Sequence, residues 1–399
     1  MLARVVVVGA GAAGLVAASF AAAAGASTIL LERTKDGGRK ILISGGGRCN
    51  VLPSVLGPER FVTDSPAHLL RAMLRAWPLH EQRAFFEQDL QIPLALEEES
   101  GKLFPESNRA KDVRDGLVEH ARTKGVQLQF DTKVTDLLST ATGFTVVTSS
   151  GAVECERVIL ATGGLSVPAT GSDGIGLDMA RRLGHGMIET YPALTPLIGD
   201  GAHEILAGVS LMVRLRAKLE TRTTETTGSF LFTHRGYSGP GVLDISHVTA
   251  RTERPVIRAQ WSNLTAAAWS NEFDAPNTSV ATIVGRHLPS RLGDQLMAES
   301  GIPPDRRTSS LKRTERLALI DALTAYPLPW TGNEGYKKAE VTGGGVTLTD
   351  VDSKTLESKR VPGLYLCGEM LDAFGPIGGH NFSWASATGR TAGMAAGRG

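Results

Sequence analysis

The uncharged stretch between Arg4 and Glu32 limits what this chain can fold into more than any other feature. It reads RVVVVGAGAAGLVAASFAAAAGASTILLE: a β-branched run, a glycine turn, an alanine-rich helix and a second β-branched run ending in an acid. Gly9, Gly11 and Gly14 form G-x-G-x-x-G directly after Val5 to Val8, with Ala12 and Ala13 inside the turn. The first glycine allows the tight turn, the second admits a pyrophosphate against the backbone, and the third lets helix and strand pack closely. A helix N-terminus favours the phosphates. Glu32 then stands where a carboxylate accepts the ribose hydroxyls of an adenosine, with Arg33 beside it. The run is long enough to span a bilayer. Its alanine and glycine content, the break at Gly25 and the division into two short β-branched blocks favour parallel strands instead. A signal peptide is not expected, because cleavage would destroy the fingerprint.

With 399 residues and 42% apolar content, the chain suffices for a large core and two or three domains. A net charge of +1 gives no global pull toward nucleic acid or membrane. Cys49, Cys155 and Cys367 are too few and scattered for a disulfide framework, and no metal-ligand spacing surrounds them. A reducing cytoplasm fits best, and no metal is expected.

Helical spacing over 67–89 is broken near Pro78, residues 94–104 pattern as a hairpin, and 109–124 as a helix stopped by Gly125. Short strands are expected at 126–130, from Val134 to Leu138, and at 144–148. A buried strand over 157–160 ends in Ala161-Thr162-Gly163-Gly164, a second place for close backbone approach to a ligand. Residues 211–221 and 229–232 alternate like antiparallel strands, whereas 277–325 is largely helical. Strand-and-glycine character returns near Glu340, with a strand at 363–367 and a final helix from about Asn381. The expected fold class is α/β, a Rossmann-like FAD-binding domain built from both chain ends (1–190 plus 336–399). Inserted into it are a β-barrel-like subdomain (191–275) and a helical subdomain (276–335).

Two further segments suggest a flavin rather than a nicotinamide domain. Gly368-Glu369, after a strand, suits a ribitol or pyrophosphate. Gly378-Gly379-His380-Asn381 would aim a helix N-terminus at the pyrimidine edge of the ring, tuning its redox chemistry. The loop from Gly37 to Asn50 carries Ser44, then Gly45, Gly46 and Gly47, with Arg39, Lys40 and Arg48 adding positive charge around backbone N–H groups. It lacks the Walker A order, so ATP hydrolysis has no support. No second G-x-G-x-x-G follows a strand, so NAD(P)H, if used, docks transiently.

The blocks GRKILISGGGRCN, GKLFPES, ILATGG, LFTHRGYSGPGVLDIS, VTGGGV, SKRVPGLYLCGEMLD and GGHNFSWASATGRTAG occur in that order over nearly the whole chain. In them the sequence resembles the BaiN/RdsA-type, aminoacetone-oxidase-like bacterial flavoproteins. The resemblance implies an FAD domain with the inserts described. It also implies that Gly9, Gly11, Gly14, Glu32, Lys40, Arg48, Cys49, Gly163, Gly368, Glu369 and Asn381 border FAD. Gly379-His380-Asn381 departs from the family's usual Gly-Gly-Tyr-Asn, which weakens inference about substrate. Ala12, Ala13, Arg33, Ser44, Gly45, Gly46, Val134, Thr162, Gly164 and Gly379 complete the expected cofactor positions.

Three residues are candidates for chemistry. Cys49 is either a thiol activated by Arg48 and a backbone nest or a small buried residue. Disulfide-reductase chemistry lacks its C-x-x-C pair. His234, before Gly236-Tyr237-Ser238-Gly239-Pro240, is either a proton carrier or a turn residue, with Ser238 a possible N-cap and Pro240 near the helix start. His380 is expected as a ring contact. The basic run over 305–316 reads as a solvated helix face rather than an RNA surface. The expected activity is an FAD-dependent two-electron reduction of an activated C=C bond with NAD(P)H, on a small-molecule substrate lodged between the FAD domain and the insert. Oxidation of a small amine by oxygen and a non-catalytic RNA-binding or redox-sensing flavoprotein are the alternatives. An RNA substrate stays open, a membrane partner is not expected, and the oligomeric state is undetermined.

Overall fold

A computed structural model describes residues 3–219 and 223–398. The chain forms two compact units, one of residues 1–192 with 340–399 and the other of 193–339.

The first unit is organised on its N-terminal strand, Ala3–Val8, whose valines are 0 to 5% exposed. It pairs in parallel with Thr28–Leu31 on one side and with the end of Gly151–Leu160 on the other. Gln127–Gln129 extends the sheet in parallel beyond Thr28–Leu31, and Leu364–Leu366 pairs in parallel with Gly151–Leu160. Val134–Thr140 and Gly143–Thr148 complete it as an antiparallel hairpin on the start of Gly151–Leu160. The continuous β-branched runs of the sequence are thus the strands covered on both faces, as parallel strands require. The 67–89 stretch breaks at Pro78 into Ala67–Arg75 and Leu79–Ala84 because proline cannot continue the first helix.

The helix after the glycine turn, Ala12–Ala23, is buried along most of its length. It is covered by the last helix, His380–Arg398, through Gly389, Gly393 and Gly397, spaced four apart on one helix face. A Cβ on Gly389 or Gly393 would overlap the carbonyl oxygen of Ala13 or Ala17, and one on Gly397 would stand 2.6 Å from that of Ala21. Alanine on one helix and glycine on the other bring the two backbones into contact. Leu52–Pro53, Lys102–Pro105 and Leu94–Glu97 form a small antiparallel sheet, with Pro53 opposite Lys102.

The second unit holds a seven-stranded antiparallel sheet in the order Tyr326–Pro327, Ile257–Gln260, Ser210–Lys218, Thr223–Thr233, Gly236–Ser238, Leu197–Gly199, Trp330–Asn333. Residues 220–221, expected to end the strand begun at 211, lie outside the described residues. Leu292 and Leu296 of Ser290–Glu299, and Leu319 and Leu323 of Arg313–Thr324, are buried in the same core as Phe230 and Trp261 of the sheet-bearing stretch. Pro240 opens the helix Pro240–Ile245 as expected. Its N-cap is Gly239, at φ 92°, and Ser238 closes the preceding strand; a left-handed N-cap favours glycine over serine.

Candidate functional site

A cavity of about 450 Å³ opens along the C-terminal ends of the first unit's parallel strands, where ligands bind in sheets of this kind. The glycine turn forms one wall. A Cβ on Gly9 would stand 2.6 Å from the carbonyl oxygen of Ala161, and one on Gly14 would overlap that of Gly9, so both positions hold strand, turn and helix together. Gly11 differs. A Cβ there meets nothing within 4 Å, because that face opens on the cavity alongside Ala12 and Ala13.

Glu32 lines the cavity while bracing the turn. Its Oε2 accepts from the Ala10 backbone N–H at 2.7 Å, and its Oε1 accepts from Thr34 N and Thr34 Oγ1 at 2.8 and 2.7 Å. A carboxylate has about four lone-pair sites, so acceptor capacity remains for ribose hydroxyls. Arg33, also on the lining, is held by Asp173 and the Gly171 carbonyl; Val134 and Thr132 complete this end.

Farther along, Lys40 donates to Glu369 Oε2 at 2.6 Å and to Ser166 Oγ. Glu369 Oε1 accepts from Ser166 Oγ at 2.5 Å and from Thr342 N at 2.9 Å. Burial pushes Glu369 upward, but the Lys40 charge and these hydrogen bonds outweigh it and hold the carboxyl below its ordinary range. The far end is built by Ser44, Gly45, Arg48 and Asn50, by Lys102 and Phe104 of the hairpin, and by Phe374, Gly378, Gly379 and Asn381. Arg48 lies over the Phe104 ring at 3.9 Å and reaches Glu97 at 3.1 Å and Asn108 at 2.8 Å. The Asn381 side chain clasps Gly375 through both its oxygen and its nitrogen, each at 2.8 Å.

Thr162 and Gly163 are on the lining, but several expected residues are not. Gly14, Gly46, Gly164 and Gly368 lie off it. Gly164 makes room for the Thr342 side chain. Gly368 sits against Ala13, donating its N–H to Thr388 Oγ1 and accepting from Trp384 Nε1. Cys49 is fully buried at φ 59°, and burial pushes its thiol up to about 12 against a Ser44 hydrogen bond. An activated thiolate is therefore corrected to a packed residue. His380 is off the lining and packs against Phe61 at a ring separation of 6.0 Å; burial, reinforced by the Arg60 charge, lowers it to about 4. Its expected ring contact is replaced by a neutral packed imidazole. His234 borders a separate cavity of about 290 Å³ within the second unit, with His203 and Tyr237.

Lys102, Phe104, Asn50 and Phe374 were not singled out from the sequence. Lys102 and Phe104 lie within the block GKLFPES, and Asn50 ends GRKILISGGGRCN. Those two blocks are the signal that points to Lys102, Phe104 and Asn50.

The residues fit a flavin dinucleotide. Asn50 Oδ1 and Thr162 Oγ1, on cavity-lining residues, are buried without a hydrogen-bond partner, and buried polar atoms of this kind are ordinarily satisfied. A Rossmann sheet whose glycine turn, acid and C-terminal glycine pair border one cavity defines the protein as a flavoprotein oxidoreductase. Over residues 3–395 the chain matches the family described as HI0933-like protein Rossmann domain, and it belongs to that family. It is 34% identical to the ribosomal RNA dihydrouridine synthase of Escherichia coli, over 95% of this chain and 94% of that protein. It is 31% identical to the 3-dehydro-bile acid delta(4,6)-reductase of Clostridium scindens, over 98% of each. In fold it resembles the 3-ketosteroid-delta4-(5alpha)-dehydrogenase of Rhodococcus jostii, with a TM-score of 0.54 and 18% identity, covering 99% of this chain and 96% of that one. No helix among the described residues is long and apolar enough to cross a membrane.

Proposed function

We propose that the chain holds FAD in the first unit's cavity and uses it to reduce a C=C bond conjugated to a carbonyl, with NAD(P)H as a transiently docked reductant. The observation that carries the reading is the continuous lining from the Gly11 opening and Glu32 to the Lys102–Phe104 and Gly378–Gly379 end, long enough in sequence elements to grip both halves of a dinucleotide. When bound, FAD supplies two-electron hydride chemistry. The chain's own residues bind and orient it. Glu32 receives the ribose, the helix opened by Ala12 faces the pyrophosphate, and the Lys40–Glu369 pair fixes the middle of the site.

The relatives' names supply the bond type. A dihydrouridine synthase and a delta(4,6)-reductase both remove a C=C bond conjugated with a carbonyl, one in a nucleobase and one in a steroid. A small-molecule enone is the favoured substrate here. The basic run over 305–316 gives RNA little help, since Arg306 pairs with Glu315 at 3.0 Å, Arg316 with Asp274 at 2.7 Å, and Arg307 donates to the Asn277 carbonyl at 2.8 Å. Three buried free cysteines suit a reducing cytoplasm.

The test is direct. The purified protein should be yellow, release FAD rather than FMN on denaturation, bleach anaerobically with NADPH or NADH, and recover colour on addition of an α,β-unsaturated ketone. Bleaching by neither nicotinamide, together with turnover of small amines by oxygen, would replace reduction with amine oxidation.

A further inference from the structure

We propose that Lys102 sets the reduction potential of the bound flavin, receiving the negative charge that reduction places on the pyrimidine edge of the ring. The inference rests on the FAD reading above. With the adenosine assigned to Glu32, the opposite end of the cavity is left for the ring system, and Arg39, Lys40, Arg48 and Lys102 line the cavity from its middle to that end. Three are already engaged. Arg39 pairs with Asp36 at 3.1 Å, Lys40 with Glu369, and Arg48 with Glu97 while covering Phe104.

Lys102 has no carboxylate within 4 Å among the described residues. Its cross-strand partner Glu97 is taken by Arg48 at 3.1 Å and by Ser100 at 2.5 Å, and Glu340, the other acid facing this end, forms no ion pair with it. Glu97 and Glu340 attract it from beyond ion-pair distance, so its ammonium keeps its donors for an arriving anion.

The fold fixes where that ammonium stands. Gly379, at φ 85°, has no side chain, and a Cβ there would lie 2.5 to 2.8 Å from the Leu52 backbone. Strand Leu52–Pro53 therefore seats directly on the start of the last helix. Pro53 pairs with Lys102, which lays the lysine stem along Gly378, its Cε 3.6 Å from where a Cβ at that glycine would be. The ammonium and the positive end of a 19-residue helix thus face the same end of the cavity. Together they favour the reduced, negatively charged ring over the neutral oxidised one.

The experiment uses the FAD-loaded protein and needs neither substrate nor nicotinamide. Sulfite, which adds to an oxidised flavin and leaves negative charge on the ring, is titrated into wild type, Lys102→Met, Lys102→Arg and the surface control Lys354→Met, and the two-electron potential of each is measured against reference dyes. Lys102→Met should bind sulfite about tenfold more weakly and be about tenfold less favourably reduced, a potential about 30 mV lower. Lys102→Arg should restore most of both, and Lys354→Met should match wild type. Unchanged sulfite affinity and potential in FAD-loaded Lys102→Met, or an equal shift in Lys354→Met, would overturn the proposal. Failure of wild type to hold FAD would instead overturn the cofactor reading beneath it.

Discussion

Glu32 shows how a single side chain braces a turn and lines a cavity at once. Its three accepted hydrogen bonds tie Ala10 and Thr34 into the turn, so its carboxylate prepares the phosphate loop before any ribose arrives. Glu32→Ala should raise the FAD dissociation constant by the equivalent of about 1.5–3 kcal/mol, the scale of hydrogen bonds to charged groups. It should also lower the melting temperature of the flavin-free protein, as followed by flavin fluorescence and thermal unfolding. His380 predicts a pH effect. Its folded value of about 4 lies below the unfolded value near 6.5, so the unfolded chain binds the extra proton. The stability it contributes is whole above about pH 6.5 and is lost as pH falls toward 4, a change on the order of 3 kcal/mol. Urea unfolding of His380→Leu across that window should show a shallower decline than wild type. The strand-turn-helix roles of Gly9 and Gly14 were legible in the sequence because each is local to one turn. The sequence left the Cys49 thiol between two readings and placed the His380 imidazole on the ring, because acidity and orientation belong to surroundings assembled from distant segments.

At the scale of elements, the contact between Ala12–Ala23 and the last helix is the most demanding interface in the first unit. Gly393→Ala adds helix propensity worth about 1 kcal/mol. It also drives a methyl into the Ala17 carbonyl, where the obstacle is backbone and cannot rotate aside. Overpacking of this kind costs about 1–3 kcal/mol, and Gly393→Val should exceed Gly393→Ala because the branched side chain has no free volume to enter. Chemical denaturation of both variants checks the order; a Gly393→Ala protein as stable as wild type would mean the helices part without penalty. The hairpin near 94–105 was readable from its alternation and turn. Its service to the cavity was not, because that depends on the pairing of Pro53 with Lys102 and on the approach of Leu52 to Gly379, neither of which leaves a local pattern.

For the whole molecule, the cavity is lined only by residues of the first unit, so flavin should stabilise the two units unequally. At a free concentration of 100 times its dissociation constant, FAD should add about 2.7 kcal/mol to the unit that binds it. Hydrogen exchange with and without FAD should slow in 3–192 and 340–398 more than in 193–339; equal slowing throughout would mean the two units open together. The return of the C-terminal segment to the nucleotide fold was legible from Gly368-Glu369 and the glycine pair at 378–379. The arrangement of 193–339 was less so, because its strands at Tyr326–Pro327 and Trp330–Asn333 are too short to stand out from a largely helical stretch. The glycine-lined meeting of first and last helices also sets a clock on biosynthesis. At about 5–20 residues per second, the helix that covers Ala12–Ala23 emerges roughly 20–70 s after it, so that apolar surface stays uncovered while the residues between them are made. Until that helix arrives, the cavity also lacks the part of its lining that Gly378, Gly379 and Asn381 supply.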